Sequence, residues 1–388
     1  MAGIFDQPSR WMDDELVLFD DNVRRMLVDC APPERLARWR ADGIVERAAW
    51  YDLARAGLLG LSIAPEYGGA GGDFRHEAAL TRRLGLVGAE GWGVPLHNGI
   101  VAPYIESFGT PEQRRRWLPK MVSGEYITAI AMTEPGAGSD LRGIRTTARR
   151  DGDVYRLSGQ KTFITNGQLA NLIILVARTD PAAGGKGISL FGVETDAAPG
   201  FRRGRNLDKI GLEMGDTSEL FFDDVPVPAA NLLGGEEGRG LPQLMQQLPK
   251  ERLMIAIESL ALIEAAVDHT IAYVEERHAF GQRLLDFQNT QFRLAECKTE
   301  AMVARSFIDD CIDLYVRGEL DATRASMAKL WASERAQKVV DNCLQLFGGY
   351  GYMNEYPIAQ MYKNVRVKRI YGGTSEIMKL LIARSLAA

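Results

Sequence analysis

The first third of the chain has the hydrophobic pattern of amphipathic helices. Over residues 39–57, apolar side chains recur at steps of three and four, which places them on one helix face. Thr110 followed by Pro111 predicts a helix start, with Thr110 as the N-cap and proline in the first turn. We therefore predict an N-terminal helical domain over residues 1–126.

The pattern changes to that of β-strands after this region. Apolar and polar residues alternate over 154–157 and 161–165, which is typical of strands with one buried face. Residues 172–177 and 188–193 are short apolar runs between turn-forming residues. This spacing predicts a central antiparallel β-domain over residues 127–236.

A helical period returns after residue 237 and continues to the end. The segment is rich in alanine and amphipathic, as expected of a helical bundle. We predict a C-terminal four-helix bundle over residues 237–388, and an α+β fold in the order helical domain, β-domain, bundle. The helical windows are 250–276, 289–316, 321–345 and 375–386.

The net charge argues against binding of nucleic acid or an anionic membrane, whereas the local arginine groups have two interpretations. A net charge of −5 over 388 residues gives no overall basic surface for nucleic acid or an anionic membrane. Local arginine groups are either solvated faces or attract an anionic ligand such as a phosphorylated coenzyme. These groups are Arg114, Arg115 and Arg116; Arg142, Arg145, Arg149 and Arg150; and Arg202, Arg203 and Arg205.

The cysteine and histidine spacing predicts neither disulfides nor a metal site. Four scattered cysteines without a CxxC pair fit a reducing compartment. The four histidines have no metal-ligand spacing, so we expect no metal. With no apolar signal segment and no membrane-length apolar run, we expect a soluble cytoplasmic protein.

Five motifs carry the chemical information. The first is a glycine-rich loop whose backbone can approach a flat or anionic ligand closely. It lacks the third glycine of a nicotinamide-type loop, because Leu141 stands there. The motifs are AMTEPGAGSD at 131–140, GQKTFITNG at 159–167, RHAFG at 277–281 with Gln288, QLFGGYGY at 345–352, and IYGGTSEI at 370–377.

In this order and at these separations, the five motifs resemble the acyl-CoA dehydrogenase family, from about residue 50 to the end. Within the family, QLPKERL at 247–253 and YGGT at 371–374 resemble the long-chain acyl-CoA dehydrogenases most. The resemblance implies the same three-part fold and FAD as the cofactor. Residues that it places against FAD are Met132, Thr133, Gly138, Ser139, Phe163, Ile164, Thr165, Arg277, Phe280, Gln288, Gln345, Phe347, Gly348, Gly349, Thr374 and Glu376.

The resemblance also implies partners. In the family, contacts such as those of Arg277, Phe280 and Gln288 come largely from a neighbouring subunit, so a homotetramer built as a dimer of dimers is expected. Electrons are expected to pass to electron-transferring flavoprotein, and the substrate is an acyl-CoA. Substrate contacts are implied for Ser139, Arg252, Tyr371 and Gly373.

The main question within this resemblance is which glutamate is the catalytic base. Many relatives have a glutamate directly after the tyrosine of the last motif, but this chain has Gly372. Glu251 matches the position that the long-chain and isovaleryl members use, whereas Glu376 matches a position at the adenine end of FAD. The alternative for Glu251 is an ordinary first-turn glutamate after Pro249, favoured by the helix dipole. We predict Glu251 as the base.

The resemblance further implies the reaction, which removes a proton from Cα and a hydride from Cβ to give a trans-2-enoyl-CoA. The backbone N–H of Gly372 and a flavin ribityl hydroxyl are implied as donors to the thioester carbonyl. The base position predicts a medium-to-long-chain or methyl-branched substrate. Two alternatives are an acyl-CoA oxidase and a non-catalytic flavoprotein of the same fold that acts as a binding or assembly factor.

Overall fold

The N-terminal part of the molecule is helical. The computed structural model describes residues 4, 5 and 7–386. A π-helix, His97–Val101, connects the fifth helix to the sixth. The helices are α1 (Asp14–Cys30), α2 (Pro33–Asp42), α3 (Arg47–Arg55), α4 (Phe74–Leu86), α5 (Val94–Leu96), α6 (Ala102–Phe108) and α7 (Pro111–Val122).

The predicted start of α7 is confirmed in detail. The Thr110 hydroxyl accepts a hydrogen bond from the Gln113 N–H at 3.3 Å. The Gln113 side chain accepts one from the Thr110 N–H at 3.0 Å, which completes a capping box. Backbone donors at this helix start are thus satisfied by local side chains.

A seven-stranded sheet forms the middle of the chain. Its order is β1-β4-β2-β3-β7-β6, and β5 pairs with β4. The strands are β1 (Thr128–Ala131), β2 (Thr147–Asp151), β3 (Val154–Thr165), β4 (Leu172–Arg178), β5 (Ile188–Glu194), β6 (Phe201–Asn206) and β7 (Thr217–Pro228).

The sheet is mixed, whereas the sequence predicts antiparallel pairing throughout. The pairs β2-β3, β3-β7, β4-β5 and β6-β7 are antiparallel. Strand β1 instead pairs with β4 in parallel, with Thr128 opposite Leu172, and β2 has one parallel pairing with β4. Both β1 and most of β4 are buried on both faces, so their apolar runs contain no signal of strand direction.

The C-terminal part is a helical bundle, as predicted. Its long helices α8, α9 and α10 share one apolar core, and α11 and α12 pack against α10. A short hairpin, β8 (His278–Ala279) with β9 (Gln282–Arg283), connects the first two helices. The helices are α8 (Gly240–Glu276), α9 (Gln288–Val316), α10 (Ala322–Phe347), α11 (Pro357–Val365) and α12 (Ser375–Ser385).

Helix α8 begins earlier than the sequence predicts. It starts at Gly240 and continues through Pro249, so the predicted start at residue 250 is wrong. Proline removes one backbone donor, but Leu244 on the preceding turn is buried in a neighbouring apolar core and keeps that segment helical. Glu251 therefore lies well inside the helix, and the first-turn explanation for this glutamate does not apply.

Within the described part of the chain, no helix has the length and apolar character needed to cross a bilayer. The same residues contain no group of three or more histidine, cysteine, aspartate or glutamate side chains arranged to hold a metal ion. All four cysteines are buried free thiols.

Candidate active site

Glu251 is a buried carboxyl on α8. Only 5% of its surface is exposed. The hydroxyl of Tyr104, on α6, donates a hydrogen bond of 2.8 Å to its Oε1 atom. Burial raises the pKa of Glu251 to about 7, while the Tyr104 hydrogen bond and the charge of Arg252 oppose that rise. A carboxyl with this pKa is suited to accept a proton near neutral pH.

Gly372 lies close to the same part of α8. Its φ of +63° is in the left-handed region, which glycine adopts without strain. A Cβ atom at this position would lie 2.2 Å from Cδ1 of Ile255, so Ile255 or the turn would have to move to admit a side chain. Because Ile255 is one helical turn after Glu251, the structure brings Gly372 and Glu251 to the same helix face.

Glu376, the other carboxylate candidate, has a different environment. It is exposed in the first turn of α12. Its own backbone N–H and the Thr374 hydroxyl lower the pKa of Glu376. The Thr374 side chain also caps this helix by accepting a hydrogen bond of 3.3 Å from the Ile377 N–H. An exposed carboxylate with a lowered pKa is a weak base, so this comparison favours Glu251.

The predicted substrate contacts lie in three places: Tyr371 and Gly373 flank Gly372, Arg252 follows Glu251 on α8, and Ser139 is in the glycine-rich loop. Arg252 is 7% exposed, and its Nη1 atom donates to the Ser326 hydroxyl at 3.2 Å. Its Nε atom has no hydrogen-bond partner among the described residues, so a ligand acceptor fits there. The carbonyl of Gly373 accepts a hydrogen bond of 2.6 Å from Lys329. Ser139 is exposed on the glycine-rich loop.

Tyr371 has a partner inside the protein. Its hydroxyl donates a hydrogen bond of 2.9 Å to the Glu258 carboxylate on α8. The Tyr371 side chain is therefore held by the helix that carries Glu251. Its backbone enters the turn that contains Gly372.

The residues predicted around the flavin form one group. Met132, Thr133, Gly138 and Ser139 belong to the loop after β1, and Phe163, Ile164 and Thr165 end β3. The N–H of Thr162 donates to the Thr133 carbonyl at 3.0 Å. The buried ammonium group of Lys161 donates to the Met132 carbonyl at 3.0 Å and to Glu134 at 2.8 Å. These bonds hold the loop beside the strand end.

The residues predicted around the pyrophosphate and adenine form a second group. The guanidinium of Arg277 lies 5.5 Å from the Tyr350 ring centre, next to Gly348 and Gly349. Tyr273 stacks on Phe347 at 4.1 Å. Phe280, Gln288 and Gln345 are exposed. Among the described residues, no hydrogen bond or aromatic contact joins this group to the flavin group.

Both groups fit FAD. Phe163 and Phe280 have φ values of 59° and 51°, which is strained for a residue with a side chain. They expose 67% and 96% of their surface, so two large apolar side chains are uncovered. Added Cβ atoms at Gly138 and Gly348 would meet nothing within 4 Å, which leaves room beside the backbone. Uncovered rings and open glycine backbone suit a flat cofactor with phosphates.

The sequence did not identify several residues that shape this site. Tyr104 is 147 residues from Glu251 and belongs to none of the five motifs. Ile255 and Glu258 look like ordinary positions of a buried helix. Their only signal is the helical spacing from Glu251, which places all three on one face.

Comparisons with known proteins match this arrangement. Family models for the N-terminal, middle and C-terminal domains of acyl-CoA dehydrogenase match residues 13–125, 129–225 and 238–387. The long-chain specific mitochondrial acyl-CoA dehydrogenase of Sus scrofa is 47% identical over 95% of this chain and 86% of its own length.

Solved structures agree with these matches. The crystal structure of acyl-CoA dehydrogenase from Geobacillus kaustophilus has a TM-score of 0.95 and 47% identity, covering 98% of this chain and all of that one. A Mycobacterium smegmatis glutaryl-CoA dehydrogenase in complex with FADH2 has a TM-score of 0.89 and 29% identity, covering 97% and 95%. The chain therefore belongs to the acyl-CoA dehydrogenase family and is an FAD-dependent acyl-CoA dehydrogenase.

Proposed function

We propose that this enzyme converts medium-to-long-chain or methyl-branched acyl-CoA to trans-2-enoyl-CoA, with Glu251 as the base. The observation that carries the proposal is a buried glutamate with a pKa near 7 on the same helix face as Gly372. The 47% identity to a long-chain specific enzyme supports the substrate range. Predicted and structural arguments thus point to the same carboxyl group.

Glu251 removes the α-proton. The α-proton of a thioester is weakly acidic, so the base needs a raised pKa and a fixed position. Burial on α8 raises that pKa, and the Tyr104 hydroxyl fixes the carboxylate through Oε1. When the proton arrives, the buried site loses a negative charge, which burial favours.

Gly372 stabilises the negative charge that develops on the thioester oxygen. A backbone N–H directed at that oxygen contributes most where charge develops during the reaction. The absence of a side chain at position 372 leaves the turn close to Ile255 and to the base. When bound, FAD is the acceptor of the hydride that leaves Cβ.

The assembly and the electron acceptor are further parts of the proposal. In the described part of the chain, no hydrogen bond or aromatic contact joins the flavin group to the adenine group, and Phe280 is 96% exposed. These features support a homotetramer in which a neighbouring subunit completes the cofactor site. We propose electron-transferring flavoprotein as the acceptor. The cytoplasmic location stays a prediction from the sequence.

Reduction of the flavin by a panel of acyl-CoA substrates tests the reaction and its range. Straight chains from C4 to C18 and methyl-branched chains are mixed anaerobically with the enzyme, and loss of the visible flavin absorbance gives the rate. We expect the highest kcat/KM with medium, long or branched chains. Reaction with C4 substrates alone would show that the substrate range is wrong.

Reoxidation separates a dehydrogenase from an oxidase. The enzyme reduced by substrate is exposed either to air or to oxidised electron-transferring flavoprotein. We expect slow recovery of absorbance in air and fast recovery with the flavoprotein. Fast recovery in air would favour the oxidase.

A further inference from the structure

The turn that carries Gly372 is flexible by composition. It connects the short 3-10 helix Arg366–Arg369 to α12 and contains two adjacent glycines. Gly372 and Gly373 have φ values of +63° and +99°, which other residues rarely adopt. A turn with this freedom needs outside contacts to keep one N–H in a fixed direction.

Glu258 on α8 provides such a contact. Its Oε2 atom accepts a hydrogen bond of 2.9 Å from the Tyr371 hydroxyl and one of 2.7 Å from the Lys368 ammonium group. Lys368 also donates to the Tyr371 hydroxyl at 3.2 Å. Lys368 is fully buried, so this ion pair is shielded from solvent. Residues on the N-terminal side of the turn are thus bonded to one helix position.

Glu258 lies on the same face of α8 as the proposed base, Glu251. Glu251, Ile255 and Glu258 follow at steps of four and three, which puts them on one face of α8. Cδ1 of Ile255 lies 2.2 Å from the place where a Gly372 side chain would begin. The base and the contact that holds the turn are therefore parts of the same rigid element, seven residues apart.

Helix α10 holds the other side of the turn. The ammonium group of Lys329 donates to the Gly373 carbonyl at 2.6 Å. Glu334 accepts hydrogen bonds from Arg369 at 2.8 Å and from the Ser375 hydroxyl at 2.7 Å. The Lys329 and Ser375 contacts hold the C-terminal side of the turn, and the Arg369 contact holds the end of the 3-10 helix before it. Glu258 holds the residue directly before Gly372.

We propose that Glu258 is a positioning residue, which acts through Tyr371 and Lys368 to direct the Gly372 N–H at the substrate carbonyl beside Glu251. The inference rests on the proposed role of Gly372 as a donor. It adds that α8 carries the base and also holds the residue directly before the donor, so one helix contributes to the position of both groups. Glu258 itself touches neither substrate nor cofactor in this arrangement.

The test uses variants that do not leave an unpaired charge inside the protein. Tyr371→Phe removes one hydroxyl and keeps the Glu258–Lys368 pair. The double variant Glu258→Leu with Lys368→Met removes both charges together, because a lone buried charge destabilises the fold strongly. A control is Asp20→Leu with Arg83→Met, which removes a buried ion pair between α1 and α4 and leaves the contacts of Glu258, Lys368 and Tyr371 in place.

The measurement is the carbonyl stretching band of bound trans-2-dodecenoyl-CoA, labelled with carbon-13 at C1, by infrared difference spectroscopy on the FAD-loaded enzyme. A hydrogen bond to the carbonyl lowers this frequency. We expect a lowered band in the unmodified enzyme and in the control. In Tyr371→Phe and the Glu258 double variant we expect the band to return towards that of free ligand. We also expect kcat to fall about tenfold to a hundredfold, with little change in KM.

Each other result has a definite meaning. If the unmodified enzyme shows no lowered band, the donor role of Gly372 fails, and the proposed function must be revised. If that band is lowered but both turn variants keep it and keep kcat, Glu258 is only a structural residue and the inference is wrong. The inference is equally wrong if kcat falls as much in the control as in the turn variants.

Discussion

The Tyr104 hydroxyl donates a 2.8 Å hydrogen bond to Oε1 of Glu251, which joins α6 of the N-terminal region to α8 of the bundle. Both side chains are buried, with 0% and 5% of their surface exposed. A hydrogen bond to the ionised form of an acid stabilises that form. Tyr104 therefore opposes the rise in pKa that burial imposes on Glu251.

Tyr104→Phe should move the pH profile of the reaction to higher pH. The ionised form of Glu251 is active, so kcat should rise as pH increases through about 7 in the unmodified enzyme. Without the hydroxyl, the pKa of Glu251 rises, and the midpoint should move up by about one pH unit. The variant should be slow at pH 7 and close to the unmodified enzyme at high pH.

The matched control for this prediction is Tyr126→Phe. That residue also donates to a glutamate, Glu194, at 2.9 Å, but it lies outside the candidate site. Its pH profile should not change. A midpoint that stays in place in Tyr104→Phe would mean that the Tyr104 hydroxyl does not control the ionisation of the base.

Replacing Glu251 by glutamine should abolish turnover. Glutamine keeps the size of the side chain but cannot accept the α-proton, and the loss of a general base lowers kcat by about a thousandfold. The FAD content and the affinity for an enoyl-CoA product should persist, as visible absorbance titrations will measure. Glu376→Gln is the control and should retain most activity, because that residue is exposed with a lowered pKa. The reverse result would move the base to Glu376.

Gly372→Ala should lower the kcat of the enzyme, because the added methyl group meets Ile255. The added methyl group would lie 2.2 Å from Cδ1 of Ile255, so either this buried side chain or the turn has to move. We expect the turn to move and to carry its N–H away from the substrate. We expect kcat to fall at least about tenfold, by analogy with the loss of a donor to a developing negative charge. Steady-state rates with a reactive acyl-CoA provide the measurement.

Two further variants separate the contact from backbone strain. Gly318 has a φ of +73° with nothing within 4 Å of an added Cβ. Gly318→Ala therefore introduces backbone strain without a steric clash, and this variant should stay active. Adding Ile255→Val to Gly372→Ala removes the Cδ1 atom and should restore part of kcat. No restoration in the double variant would show that the clash with Ile255 is not the cause.

The sequence predicted the order of the fold because each region has its own hydrophobic period. It did not predict the parallel pairing of β1 with β4, since strands buried on both faces give no alternation from which direction follows. It also placed the start of α8 at residue 250, directly after Pro249. The helix nevertheless continues through Pro249, with Leu244 on the preceding turns buried in a neighbouring apolar core.

The candidate site likewise contains some residues that the sequence predicted and others that it did not. Glu251 and Gly372 were predicted as a pair. Many relatives have their glutamate base at the position of Gly372, whereas this chain has a glutamate at position 251, where the long-chain and isovaleryl members have theirs. Tyr104 and Lys368 had no such signal, because their roles depend on contacts between distant segments. Hydrogen bonds of this kind form only when helices pack together, so a single sequence does not predict them.

Phe280→Ala should weaken both the assembly and the retention of FAD. This ring is 96% exposed at the hairpin between α8 and α9, with a strained φ of 51°, which fits a side chain that a neighbouring subunit and its cofactor cover. The loss of a buried aromatic contact at an interface weakens association by about tenfold or more. Analytical ultracentrifugation should show smaller species, and dialysis should lower the flavin-to-protein ratio. Ile210→Ala is the control, because this residue is 74% exposed in the β-domain and should leave both quantities unchanged. A Phe280→Ala enzyme that remains a tetramer with full FAD would remove the main support for cofactor sharing between subunits.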